Sequence, residues 1–468
     1  MNADDDSTGS PDSFHPLGDE WERELEELLE ESDYDADLGM EMARDAMEVT
    51  KGELSEAEFH ERYHDDVMEE FGQDDRPTEA ALEELESDAG LDGSVSEALA
   101  AFGDDGAVDR REVMKKMGAG AAFLGLGAWA TMDETDPSVD AAAAQDDESE
   151  DGTQWGMVLD LERCDGCLSC VQACADENQL DSGVNWMYVL DWEDPDEQLD
   201  TGRQRLIRPC QHCTDAPCEK VCPTTARHTR ASDGLVLTDY DICIGCRYCQ
   251  VACPYGVNYF QWNEPGVSAD ALDEDHIYSD RGRPVDSRAP RGVMSKCTFC
   301  PSRQDGNMGE EMVGSTACED ACPPNAIQFG DMNDPESAPQ QYREDPPLQR
   351  ARSMASDDDD ELQEAIDIID GEEEPAEDAE DGMTEAEARA MIDDLGGTAD
   401  STFKLLEEIG TNPNIVYVGN EPGPNAEQVG GPIQYDELSY ENVEEEMVQL
   451  ADERKDVTDE GTVGEYPL

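Results

Sequence analysis

With 468 residues, 118 acids against 30 bases and a formal net charge of −88, the chain has room for two to four domains. It is too acidic to bind nucleic acid generally through phosphates. A pI near 4.1, few lysines, and acid spread over helical as well as loop-like stretches point to a protein adapted to molar salt. There the Debye length falls to about 3 Å and self-repulsion is screened, so the charge alone says little about partners.

Residues 1–108 contain no cysteine and read as a small acidic helical domain. Trp21, Leu25, Leu28 and Leu29 mark one apolar stripe. Phe59, Tyr63, Val67 and Phe71 mark a second, opened by a Ser55–Glu58 capping box, and a third lies around Leu82 and Leu85. His60 and His64 stand four apart, a spacing that can bind metal, but no third ligand accompanies them and a plain helix face is the better reading. Segment 109–150 changes character. Arg110-Arg111, the basic step Lys115-Lys116 and an uncharged Gly/Ala-rich run from Met117 to Ala130 have the form of a twin-arginine export signal. That run is shorter than the roughly 20 apolar residues of a membrane span. Ala141 to Ala144 offer a small-residue cleavage site, although the segment lies far inside the chain. A buried helix between domains is the alternative, and it gives no reason for the basic pair.

The stretch 155–345 is read as one cysteine-bearing domain. Gly156–Leu161, Trp186–Leu190, Arg205–Ile207 and Gly234–Leu237 look like short strands, each close to a cysteine group. The groups are Cys164, Cys167, Cys170, Cys174; Cys210, Cys213, Cys218, Cys222; Cys243, Cys246, Cys249, Cys253; and Cys297, Cys300, Cys318, Cys322. All sixteen cysteines are used. Groups one and three have the spacing C-x2-C-x2-C-x3-C, in which one tight loop offers three thiolates to a cubane. The fourth faces away, towards a second cluster. Zinc suits C-x2-C pairs but gives a third cysteine at the next step of three no place. Disulfides would have to bridge very short loops four times over, and no base stands beside a thiol for nucleophilic work. Four iron–sulfur clusters are therefore expected. Between Trp155 and Asp345 fall 15 of the 30 bases, several beside cysteines: Arg163, Arg208, Lys220, Arg247, Lys296 and Arg303. Such cations would stabilise anionic clusters.

The phrases CDGCLSCVQAC, CQHCTDAPCEKVCP, CIGCRYCQVACPYGVNYF, KCTFC and ACEDACPPNAIQFGDMNDPES resemble the four-cluster iron–sulfur subunit of the dimethyl sulfoxide reductase family of molybdopterin oxidoreductases. The piece LLEEIGTNPNIVYVG at 405–419 resembles the end of such subunits. The resemblance implies an α+β fold of two nested bacterial-ferredoxin-like two-cluster units, beside the small α-helical N-terminal domain. It implies that Cys210, Cys213, Cys218 and Cys253 hold one cluster, and Cys222, Cys243, Cys246 and Cys249 the next. Cys164, Cys167, Cys170 and Cys322 would hold a third, and Cys174, Cys297, Cys300 and Cys318 a fourth. Sequential pairing of the groups is an alternative that spacing leaves open. Some relatives have tryptophan in the third group and a three-iron cluster; Cys246 makes all four [4Fe–4S] here. Region 346–400 reads as an acidic insertion, a solvated loop with one or two helices. Region 401–468 reads as a terminal strand and acidic tail. No residue has the look of bond chemistry on an organic substrate, so the expected role is that of a non-catalytic electron-transfer subunit. Its implied partners are a molybdopterin catalytic subunit and a polytopic quinone-binding membrane subunit, at the outer face of the membrane or alternatively the cytoplasmic one. Other readings are a subunit of a molybdenum-free quinol-oxidising complex and a cytoplasmic polyferredoxin-type binding module.

Overall fold

The computed structural model describes residues 14–76 less 16–18, 31, 33 and 75; 152–193 less 182; 204–268 and 272; and 287–428 less 356–359, 377–381, 398–399 and 424–425. The export-like segment 109–150, the stripe at Leu82 and Leu85, and the acidic tail lie outside the described residues. The helices are α1 (Asp19–Glu30), α2 (Ala36–Thr50), α3 (Glu56–Phe71), α4 (Ser169–Glu177), α5 (Pro217–Lys220), α6 (Tyr248–Val251), α7 (Pro301–Gln304), α8 (Ala317–Asp320), α9 (Ala338–Glu344), α10 (Pro346–Met354), α11 (Asp360–Ile369) and α12 (Glu385–Gly396). The strands are β1 (Trp155–Asp160), β2 (Tyr188–Glu193), β3 (Gln204–Arg208), β4 (Arg227–Thr229), β5 (Val236–Thr238), β6 (Tyr259–Phe260), β7 (Met294–Ser295), β8 (Ile327–Asp331), β9 (Thr402–Phe403), β10 (Ile415–Val418) and β11 (Glu427–Gln428).

The central sheet has the order β8-β1-β10-β9. In β1, Met157, Val158 and Leu159 are fully buried, as a near-continuous apolar run covered on both faces requires. It pairs antiparallel with β8, Leu159 opposite Ile327, and parallel with β10, Met157 opposite Ile415. This pairing brings the start of the cysteine domain beside its end. A second antiparallel pair, β4 with β5, sets Arg227 opposite Thr238 directly between groups two and three.

The two pairs are built alike. In each, one strand leads into a C-x2-C-x2-C loop and the other leaves a Cys-Pro step. Asp160 N donates to Ala326 O at 2.8 Å, and Asp239 N donates to Ala226 O at 2.8 Å. Left-handed residues recur at matching places: Gly166 and Gly245 (φ 73° and 70°), Leu168 and Arg247 (61° and 69°), His212 and Phe299 (42° and 62°), Thr225 and Asn325 (51° and 54°). Positive φ is uncommon outside glycine, so its repetition at three matching non-glycine places marks one loop geometry used twice. At Gly245 a Cβ would stand 2.1 Å from Gly292 O, which restricts the position to glycine.

Helices α1 to α3 are where the apolar stripes put them, and the Ser55–Glu58 capping box is formed. Leu25, Leu29, Phe59, Tyr63 and Val67 are buried. They do not enclose a core of their own; they join the one that contains Cys246, Cys249 and Cys253. Helix α2 lies on α5 and α6. Gly39 allows this approach, because a Cβ there would meet the Tyr248 ring at 2.7 Å. Tyr248 Oη donates to Asp35 O at 2.6 Å, and Arg247 Nη1 donates to Leu28 O at 2.8 Å. His64 Nδ1 lies 3.0 Å from Asp74.

The acidic insertion is more ordered than its composition suggests. Helices occur as expected, three of them, but α10, α11 and α12 pack around Leu348, Ala351, Leu362, Ile366 and Ile392 instead of standing in a solvated loop. These apolar residues recur at helical steps that the surrounding acid hides. Arg350 fastens α10 to the sheet through Asp160 at 2.5 Å.

Candidate metal centres

None of the sixteen cysteines forms a disulfide; Cys164, Cys167, Cys243 and Cys322 are half-buried and the other twelve are buried. Burial pushes the Cys174 thiol well up, and the nearby thiols of Cys297, Cys300 and Cys318 push it further. Cys170 is raised by burial, then by Cys318, Cys164, Cys322 and Cys167. Cys213 is raised by burial, then by Cys210, Cys218 and Cys253. Cys246 is raised by burial, then by Cys249, Cys222 and Cys243. The fourth cysteine of each group thus neighbours thiols of a different group: Cys174 those of group four, Cys322 those of group one, Cys222 those of group three and Cys253 those of group two. Cys297 is pushed to about 12 by burial and then by Cys210, and His212 Nε2 at 3.0 Å from Cys297 O joins the two β-pair units.

Two cavities follow the same partition. One is lined by Cys222, Cys243, Cys246 and Cys249, the other by Cys174, Cys297, Cys300 and Cys318. Among the described residues no three Cys, His, Asp or Glu side chains converge tightly enough for one ion. Zinc would need that convergence, with Zn–S near 2.3 Å, whereas a cubane spreads its thiolates over several irons. Sixteen thiols crowded in apolar surroundings need positive charge between them to ionise, and iron supplies it. The donor set fits.

Donors are aimed at the sulfurs. His212 N lies 3.5 Å from Cys210 Sγ, Arg227 N 3.3 Å from Cys222 Sγ, and Ala326 N 3.2 Å from Cys322 Sγ. Thr316 Oγ1 is 3.4 Å from Cys318 Sγ and Asn178 Nδ2 3.6 Å from Cys174 Sγ. The bases singled out in the sequence mostly serve elsewhere. Lys220 pairs with Glu56, Arg303 with Glu177 and Asp320, and Arg247 packs 4.2 Å from the Trp262 ring centre. Arg163 reaches the carbonyls of Pro324 and Arg350. Among the described residues the arginine side chain that touches a thiol is that of Arg227, whose Nη2 is 3.7 Å from Cys249 Sγ. Sequence reading missed it because it follows Cys222 by a strand start rather than sitting in a cysteine loop. Its hydrogen bond to Asn258 Oδ1 at 2.8 Å holds the guanidinium there.

Residues 15–79 match the N-terminal region of 4Fe-4S ferredoxin iron-sulfur binding, and 204–272 match the 4Fe-4S dicluster domain. The chain is 40% identical over 202 residues to a Halobacterium salinarum protein assigned as the iron-sulfur subunit of a dimethyl sulfoxide reductase, covering 41% of this chain and 71% of that one. It is 35% identical over 205 residues to the menaquinone reductase iron-sulfur cluster-binding subunit of Nitratidesulfovibrio vulgaris, 39% of this chain and 77% of that one. It is 34% identical over 208 residues to the arsenate respiratory reductase iron-sulfur subunit ArrB of Shewanella, covering 39% and 83%. With this likeness and four groups of thiols, the chain belongs to the family of iron–sulfur electron-transfer subunits of the dimethyl sulfoxide reductase type, and carries four [4Fe–4S] clusters.

Proposed function

We propose that the sixteen cysteines are the cluster ligands in nested sets, and that the clusters form one electron path between two partner subunits. The sets are Cys222, Cys243, Cys246, Cys249; then Cys210, Cys213, Cys218, Cys253; then Cys174, Cys297, Cys300, Cys318; then Cys164, Cys167, Cys170, Cys322. The observation that carries this reading is the exchange of the fourth cysteine within each strand pair, with β4–β5 nested inside β1–β8. When bound, each cluster accepts and releases one electron. The chain's own residues exclude water from twelve of the thiols and aim N–H and O–H donors at their sulfurs. Cys210 beside Cys297 supports passage from the inner unit to the outer. The half-buried Cys243 at one end, and Cys164, Cys167 and Cys322 at the other, mark where electrons enter and leave.

The partners in this proposal are a molybdopterin catalytic subunit at one end and a quinone-reactive membrane subunit at the other. The relatives' names support a respiratory reductase, one of them a menaquinone reductase and another an arsenate reductase. Purification of the native complex should recover a molybdenum-containing large subunit, with about sixteen irons per copy of this chain. About eight irons would overturn the four-cluster path. A complex without molybdenum would replace the catalytic partner with that of a quinol-oxidising complex.

Among the described residues no helix is long and apolar enough to cross a membrane. The segment at Arg110-Arg111 supports export of the folded, cluster-loaded chain to the outer face. Replacing both arginines with lysine should leave the chain inside the cell, as read by protease accessibility of intact cells. Accessibility equal to wild type would remove the export reading.

A further inference from the structure

Five buried cations of the described fold each meet a carboxylate: Arg76 meets Asp74, Lys220 Glu56, Arg230 Asp233, Arg303 Glu177 and Arg350 Asp160. In a chain with 118 acids such partners are easy to supply. Arg227, Arg288 and Lys296 show no carboxylate ion pair among the described residues; Asp181 supports the Arg288 charge, whereas Arg227 and Lys296 stand beside cysteines. Arg227 is 1% exposed; its Nη2 donates to Asn258 Oδ1 at 2.8 Å and approaches Cys249 Sγ, while Nε and Nη1 are buried with no hydrogen-bond partner. Lys296 is 2% exposed and its Nζ donates only to the carbonyls of Val236 and Cys297. A buried charge without a counter-charge is strongly disfavoured, so each must be neutralised by something else close by.

The surroundings identify it. Burial works against the Arg227 charge, and the thiols of Cys249, Cys218 and Cys210 work for it. Those thiols belong to both sets of the inner unit. Lys296 is next to Cys297, which borders Cys210 across the junction of the two units. Between Lys296 and Cys210 stands His212, stacked on Phe299 at 3.8 Å. Its Nδ1 accepts from Val236 N at 3.0 Å and its Nε2 lies 3.0 Å from Cys297 O, an arrangement that fixes a neutral ring. His212 therefore adds no charge, and the positive charge at these junctions is that of Arg227 and Lys296.

We propose that Arg227 and Lys296 are positioning residues for electron transfer, whose counter-charges are the clusters and whose role is to raise the potentials of the three clusters they adjoin. The proposal rests on the nested ligand sets above. A cluster with four thiolates is anionic and gains a further negative charge on reduction, so a fixed cation nearby favours the reduced state. Arg227 bears on the two inner sets. Lys296 bears mainly on the set of Cys174, Cys297, Cys300 and Cys318. The set of Cys164, Cys167, Cys170 and Cys322 adjoins neither.

The test is an EPR-monitored redox titration of the holo complex carrying Arg227→Met, Lys296→Met, Arg227→Lys or Lys296→Arg, with signals assigned from single cysteine-to-alanine variants. Arg227→Met should lower two midpoint potentials, and Lys296→Met chiefly a third; the fourth should stay at its wild-type value in both. The charge-conserving variants should restore most of each shift. Potentials unmoved in a neutral variant that retains wild-type iron would overturn the proposal. So would Arg227→Lys behaving like Arg227→Met, which is the result of a purely structural role, and this comparison decides the matter even where the neutral variant loses iron. A wild-type complex with fewer than four clusters would instead count against the ligand sets.

Discussion

Replacing Cys322 with alanine is expected to abolish the cluster proposed for Cys164, Cys167 and Cys170, and to leave that of Cys297, Cys300 and Cys318 in place. The reason lies in β1 and β8. Their pairing sets Leu159 opposite Ile327, so the Cys-Pro step ending group four lies over the loop of group one. Cys170 has Cys164, Cys322 and Cys167 among its neighbours. Iron should fall from about sixteen to about twelve per chain, with one EPR-active species lost. Sequential pairing makes a different prediction, because Cys322 would then complete the set of Cys243, Cys246 and Cys249. The double variant Cys164→Ala/Cys322→Ala separates the two. On the nested sets it loses no more iron than either single variant, since both residues serve one cluster. A loss of about eight irons from the double variant would refute the nested assignment.

The chemistry was legible because cluster ligands are local in sequence. Three thiolates on one tight loop require fixed spacing, and groups one and three display it in a dozen residues. The partner of each loop was not legible in the spacing, because the nesting proposed above depends on strand pairs. Only β1–β8 and β4–β5 decide which Cys-Pro step meets which loop, and a short strand carries no label for its partner. The N-terminal helices illustrate the same divide. Their stripes and capping box could be read residue by residue, whereas their docking depends on Gly39 admitting the ring of Tyr248. A lone glycine in a helix has no such meaning until its neighbour is known. In the insertion, abundant acid hid Leu362, Ile366 and Ile392, which the fold buries. Arg227 was hidden for another reason: charged residues are expected at the surface, and only burial without a carboxylate makes one informative.

The largest stability effect is expected at Asp160, where sheet, insertion and first cysteine loop meet. Its side chain is buried, takes the Arg350 guanidinium at 2.5 Å and accepts from Tyr342 Oη at 2.6 Å. The other oxygen accepts the backbone N–H groups of Glu162 and Arg163, at 3.0 and 3.3 Å, which starts the turn towards Cys164. Asp160→Ala removes all four interactions and leaves a guanidinium 3% exposed without its carboxylate. Breaking a buried pair in this way costs about 3–5 kcal/mol. Unfolding of a cluster protein is irreversible, so the measurable quantity is the rate of loss of the visible cluster absorbance on heating. Asp160→Ala should bleach much faster than wild type, with the cluster proposed for Cys164, Cys167 and Cys170 lost first in EPR. Tyr342→Phe removes one hydrogen bond worth about 1 kcal/mol and should bleach only slightly faster. Asp160→Leu combined with Arg350→Leu should recover part of the loss, because no unpaired buried charge remains. Asp160→Ala bleaching at the wild-type rate would show that the insertion is not fastened to the cluster domain through this pair.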